Sequence, residues 1–166
     1  QNQNEEAGQA FTRAFEMDRK FAAPLVYLGM TRVEKGEYVE AVKLYEQALA
    51  INVDLGVIDY LIANALTKES SADTAKIETH LLRAIRLEPN FAPARLSLAK
   101  LHLRANRMNE ARDELERVIA LDANLAEAHY QLGLVYSRLR RIDDAKASMA
   151  RFKQLSDSEK EQAMKE

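Results

Sequence analysis

The 166-residue chain has no cysteine and no tryptophan, and only three prolines, five glycines and three histidines. Without cysteine it can form no disulfide, no thiol nucleophile and no Cys-based zinc site. So few prolines and glycines cannot turn the many corners of a β-rich protein, and the Ala/Leu/Glu/Lys/Arg bias favours helix. The longest mostly apolar run, residues 21–30, is too short to span a bilayer, and no signal-peptide pattern is present. A formal net charge of −2 lacks the positive excess of a general nucleic-acid binder. The chain opens on Gln1 rather than methionine, and a preceding segment is expected. What is abundant is apolar (47%) and charged (30%) residues, enough to bury a core and keep a solvated surface.

Residues 22–55 organise the rest. Leu25, Leu28, Gly29 and Arg32 fall at i, i+3, i+4 and i+7, one face of a helix. Ala41, Tyr45, Ala48 and Leu49 mark a second helical face. Between them, Lys35-Gly36-Glu37-Tyr38 is a short polar turn whose glycine can take positive φ. Gly29 and Ala41 have almost no side chain, so the two helices can approach closely.

This spacing, Leu-Gly, then Ala-x3-Tyr, then Ala-Leu over 34 residues, resembles the tetratricopeptide repeat (TPR). The pattern recurs. Residues 56–91 carry Ile62, Ala63, Leu66, Leu81, Ala84, Ile85 and Pro89, with two extra residues in Ser70-Ser71-Ala72-Asp73, where Asp73 is a candidate N-cap. Residues 92–125 carry Leu98, Ala99, Ala111, Leu115, Val118 and Ile119. Residues 126–159 carry Leu132, Gly133, Tyr136, Ala145, Met149 and Phe152. Residues 1–21 read as one helix and repeat only the second-helix face, through Ala7, Phe11, Ala14 and Phe15. Residues 160–166 read as a polar capping helix or tail, with Ser158 and Glu161 as a capping box. The sequence departs from the family where Leu25, Asp59, Arg95 and His129 replace the aromatic that opens the first helix. The resemblance implies an all-α, right-handed superhelical α-solenoid of antiparallel helix pairs, with four repeats after one half repeat.

No motif for chemistry is present. The three histidines stand apart without metal-ligand spacing, and packing is the expected role of His80, His102 and His129. Glu110, Asp113 and Glu114 sit among arginines, with Asp113–Arg117 a favourable i, i+4 pair. Asp143 and Asp144 open a helix, where its dipole favours them. No catalytic residue, metal or cofactor is expected.

In TPR proteins the first helices line a concave face that receives partners, and the register then places a groove here. It comprises Val26, Met30, Tyr60, Asn64, Lys68, Leu96, Lys100, Arg104, Tyr130, Leu134 and Arg138, with Glu34 as a lone acid. The expected partner is a protein segment, extended or helical, with apolar anchors and some acidic residues. Nucleic acid and membrane insertion are not expected. Some TPR domains grip a chaperone's terminal carboxylate with a lysine/asparagine clamp. Val26 and Met30 occupy the opening places of that clamp, so chaperone-tail binding is not expected either. Two rival readings are a self-association module and an accessory segment of a larger enzyme. Homo-association would run through the N-terminal helix, whose side around Ala7 and Phe11 is expected to lie uncovered.

Overall fold

The computed structural model describes residues 2–52, 54–69 and 73–164. Among these there are nine α-helices and no strand: α1 (Asn2–Met17), α2 (Ala23–Glu34), α3 (Tyr38–Ile51), α4 (Gly56–Lys68), α5 (Thr74–Leu87), α6 (Ala92–Arg104), α7 (Met108–Leu121), α8 (Ala126–Arg138) and α9 (Ile142–Ala163). The chain divides into two compact units, residues 1–89 and 90–166.

In the first unit each helix packs on the next, α1 on α2, α2 on α3, α3 on α4 and α4 on α5. The core is built from the small and large residues of the repeat pattern. Leu25, Ala41, Tyr45, Ala48, Ile58, Ile62 and Ala65 are buried together, with Phe15, Val26 and Val33 packed against them. The turn after α2 behaves as its glycine requires. Gly36 has φ +76°, the Glu37 N–H donates to the Arg32 carbonyl at 2.9 Å and the Gly36 N–H to Val33 at 3.0 Å. This is a Schellman close. Asp73 caps α5 by accepting from the Ala75 N–H at 2.9 Å. Residues 70–72, which hold the extra length of this repeat, lie outside the described residues.

In the second unit α6 packs on α7, α7 on α8 and α8 on α9. Leu96, Ala99, Ala111, Leu115, Val118, Ala128, Leu132, Val135 and Tyr136 form the core. The turns after α6 and α8 repeat the Schellman geometry without glycine. Asn106 and Arg140 both have φ 59°, and the Arg107 and Arg141 N–H groups donate to His102 and Tyr136 at 2.8 and 2.9 Å.

Three expectations need correction. α9 runs unbroken from Ile142 to Ala163, so Ser158 lies inside a helix and caps nothing. No glycine or proline interrupts this stretch, and its Glu, Lys, Gln and Ala residues are good helix formers. The N-terminal helix stops at Met17; Asp18 then accepts from the Lys20 N–H at 2.9 Å and turns the chain. Phe11 is not bare. Its ring stacks on Tyr27 of α2, with centroids 4.8 Å apart and planes 11° from parallel. One helical turn separates Phe11 from Phe15, so both reach α2.

Candidate partner-binding surfaces

In the first unit, the turn after α1 meets the starts of α2 and α4. Their junction leaves an apolar cleft of about 420 Å³, lined by Phe21, Val26, Tyr27, Leu55 and Val57, with Lys20 the one charged residue among the described lining residues. Phe21 is 53% exposed, Tyr27 50%, Leu55 40% and Val57 38%. Four large apolar side chains at one cleft are a concentration that a surface without a partner rarely shows. Of the expected groove residues here, Val26 lines this cleft and is half-buried. Met30 is exposed, Tyr60 and Asn64 are half-buried, and exposed Glu34 ends α2. The Lys68 ammonium lies 5.9 Å from the Tyr38 ring centroid, within cation–π range.

A second hollow of about 550 Å³ lies between α1 and α2. Thr12, Thr31, Arg13, Arg32 and Lys35 line it. Arg32 is already held by Glu37 at 2.6 Å.

In the second unit the expected residues separate into two groups. Leu96 is only 9% exposed and belongs to the core, where it packs with Ala99 and Leu132. It is therefore not available as an anchor, and the groove assignment is corrected at that position. Its place in the register matches Val26 and Tyr130, but here the side chain is buried in the core of the unit. Lys100 is tied to Glu127 at 2.5 Å. Tyr130 is 39% exposed, and one side of its ring packs on Phe152 of α9 at 5.2 Å. Leu134 is half-buried, and Arg104 and Arg138 are exposed.

The polar residues of the pattern make contacts within the fold. Asp59, where the family carries an aromatic, is completely buried. It accepts from His80 Nδ1 at 2.8 Å, with Arg83 Nε at 3.4 Å. Arg95, at the same place in α6, is clasped by Glu114 at 2.7 Å. Two repeats thus replace an aromatic wedge with an ion pair between their helices. His129 Nε2 bonds the Ala123 carbonyl at 3.0 Å, and His102 is buried. Asp113 pairs with Arg112 at 2.7 Å rather than with Arg117, which reaches Glu114 at 3.3 Å. Among the described residues no three acidic or histidine side chains gather as a metal site.

Register reasoning missed Phe21, Leu55 and Tyr27. Phe21 and Leu55 lie in the connections before α2 and α4, where helical periodicity assigns no face. The signal that could have found them is the coincidence of a large apolar residue just before two successive first helices.

Residues 104–139 match a model of the TPR repeat, and residues 126–158 match one of the tetratricopeptide repeat. Tetratricopeptide repeats are thus matched over residues 104–158. No curated protein matches the sequence. Among solved structures, MamA is similar over 95% of this chain and 91% of its own, at 18% identity and TM-score 0.83. YrrB, a TPR protein with an unusual peptide-binding site, is similar over 93% of this chain and 78% of its own, at 24% identity and TM-score 0.75. The first TPR of Spaghetti (RPAP3), bound to the HSP90 peptide SRMEEVD, is similar over 72% of this chain and 93% of its own, at 23% identity and TM-score 0.68. These likenesses carry the fold: all-α, built from sequentially packed helix pairs. No helix among the described residues is long and apolar enough to cross a membrane.

Proposed function

We propose that this chain is a non-catalytic docking module that holds a peptide or helical segment on the faces of its first helices. The cleft of the first unit is the principal anchor point. The observation that carries this reading is the cleft itself, with Phe21, Tyr27, Leu55 and Val57 exposed around it and Lys20 beside them. The ligand segment carries an aromatic or branched apolar side chain for the cleft and an acidic residue for Lys20. Met30, Tyr60, Asn64 and Lys68 extend the same unit's surface. In the second unit Tyr130, Leu134, Lys100, Arg104 and Arg138 form a separate surface, apolar at one end and basic at the other, that suits an acidic segment. Leu96 supports this surface from within.

The peptide-binding described for YrrB and for the RPAP3 domain makes peptide capture a natural use of this fold. The chaperone tail is not the proposed ligand, because Val26 and Met30 stand where that clamp would begin.

Peptide display against the immobilised protein tests the reading. Selected sequences should share an apolar anchor followed by an acid, and should lose binding to a Leu55→Glu/Val57→Asp variant. Tyr60→Ala and Tyr130→Ala should each weaken the selected peptides by about 1–3 kcal/mol. Arg104→Glu should weaken acidic peptides and reduce the salt sensitivity of binding. Peptides that bind the folded cleft variant and the double tyrosine variant undiminished would move the site to another face.

A further inference from the structure

The junction of α1 with α2 is open where the equivalent junctions later in the chain are closed. Thr12 of α1 stands in the repeat where α3 has Glu46 and α7 has Glu116, and Gly8 stands where they have Val42 and Arg112. On the facing helix, Arg32 of α2 stands where α8 has Tyr136. Between α7 and α8 an acid closes the gap. The Glu116 carboxylate accepts from the Tyr136 hydroxyl at 2.9 Å and lies 3.7 Å from Arg112 Nε, and the Arg141 guanidinium stands over the Tyr136 ring at 4.5 Å. Between α3 and α4 apolar side chains do the same, with Val42, Ile62 and Ala65 buried in one core. Each of these junctions has a first helix before it, α6 or α2, and is still closed by side chains of its own two helices and the turn that follows them.

Between α1 and α2 neither filling is present. A Cβ built on Gly8 would meet nothing within 4 Å, and a hollow of about 550 Å³ remains. Arg13, Arg32 and Lys35 are its charged residues, with no acid among the described lining residues. Glu6, Glu16 and Glu34 are exposed and lie outside that lining. Arg13 and Lys35 make no ion pair among the described residues. Arg32 gives Nη1 to Glu37 at 2.6 Å, which leaves Nε and Nη2 to donate elsewhere. Three cations against the one Glu37 carboxylate leave two positive charges unbalanced. The Thr12 and Thr31 hydroxyls donate to carbonyls of their own helices, Gly8 at 2.9 Å and Tyr27 at 3.0 Å, and can rotate to donate to an anion instead.

We infer that this hollow is an anion site that binds a phosphate monoester, free or carried on a hydroxyl side chain of another protein. A dianion balances the two uncompensated charges, whereas a single carboxylate such as Glu116 supplies in α7 would balance only one. Phosphate oxygens suit the planar forks of Arg13 and Arg32, with the Lys35 ammonium as a further donor. Arg32 and Lys35 lie at the end of α2, and the apolar cleft lies at its start, so the two sites are separate.

Amide chemical shifts of the whole protein read the site as sodium phosphate is added at constant ionic strength, slightly above neutral pH, where phosphate is mostly a dianion. The amides of residues 8–13 and 31–36 should shift and saturate, and acetate at the same ionic strength should leave them in place. Arg13→Gln should weaken binding by roughly tenfold. Thr12→Glu, which puts an acid where α7 has Glu116, should abolish it, while the uncharged Thr12→Gln should keep most of it. Leu55→Glu/Val57→Asp should leave it unchanged, so that failure of the cleft reading and failure of this one are told apart. A glycine-flanked phosphoserine peptide and glycerol phosphate should both reach the same amides, and the one that saturates at the lower concentration identifies the source of the phosphate. Three results would overturn the inference: amides that phosphate leaves unmoved, equal shifts with acetate, or undiminished phosphate binding by Thr12→Glu.

Discussion

Gly29 of α2 lies directly under the ring of Tyr45 of α3, so close that a Cβ there would meet Cδ1 at 2.7 Å and Cζ at 2.9 Å. Tyr45 is 1% exposed and boxed in by Ala41 and Ala48, both completely buried. Alanine is the better helix former by about 0.8–1 kcal/mol, yet Gly29→Ala should destabilise the protein, because overpacking a closed site costs about 1–3 kcal/mol. Gly133→Ala is the contrast. Its Cβ would meet Met149, at 2.9 Å from Cε and 3.0 Å from Cγ. An unbranched thioether side chain can move aside, so the expected change is within about 1 kcal/mol of zero. Urea melts of the two variants check the contrast. Equal losses would show that packing around the aromatic ring is no tighter than around the methionine.

That contact shows why the fold was legible. A glycine inside an otherwise strong helix pattern, as at Gly29 and Gly133, has no local reason to be there. The recurrence of a small residue opposite a large apolar residue at 34-residue spacing points to a close helix crossing. Leu96 shows the limit. Its place in the register predicts an outward side chain, but whether a residue half-way between two faces turns in or out depends on its neighbours' volumes. Asp59 and His80 show another limit. They lie twenty-one positions apart on opposite helices, and no periodicity within either helix announces their bond. The cleft side chains Phe21 and Leu55 stand outside the helices altogether, so their convergence emerges only once the turns are placed.

Arg140 and Asn106 hold the left-handed conformation that glycine holds at Gly36. For an L-residue with a Cβ this costs about 1–2 kcal/mol, less for asparagine. Arg140→Gly should therefore stabilise the protein by about 1 kcal/mol and Asn106→Gly by less, while Gly36→Ala should destabilise it by a similar amount. Arg140 is exposed, so little packing is lost with its side chain. Differential scanning calorimetry of the three variants gives the order directly, and a destabilised Arg140→Gly would show that the guanidinium does more at the turn than its backbone suggests.

Arg95 and Glu114 bridge α6 and α7 with side chains only 9% and 14% exposed. Removing one partner of a buried pair strands the other charge and costs about 3–5 kcal/mol. Replacing both by apolar residues of like volume is often neutral or stabilising. Glu114→Leu should thus be strongly destabilising, and Arg95→Leu/Glu114→Leu should recover most of the loss. Leu25, which fills the same place in α2 and is 2% exposed, shows that leucine fits there. A double variant as unstable as the single one would mean that the ion pair fixes the hairpin geometry itself.

Burial pushes the Tyr45 hydroxyl from its ordinary value of 10.0 up to about 12. Burial also raises Tyr136, reinforced by the hydrogen bond that its hydroxyl donates to Glu116 at 2.9 Å. The consequence is alkaline sensitivity. Below pH 10 both the folded and the unfolded chain keep the Tyr45 proton, and its contribution to stability is fully present. Between pH 10 and about 12 the unfolded chain releases the proton first, so the folded state binds more protons and loses stability as pH rises. Two pH units of difference correspond to roughly 2–3 kcal/mol. Tyr45→Phe keeps the ring against Gly29 and removes the ionisable group. Denaturation midpoints of the wild type and this variant, measured from pH 8 to pH 12, should run parallel up to pH 10 and then diverge, the wild type falling faster. Tyr136 and the lysines titrate in both proteins and cancel in the difference. Curves that stay parallel to pH 12 would mean that the buried hydroxyl ionises as readily in the folded chain as in the unfolded one, and that the core around Gly29 admits water.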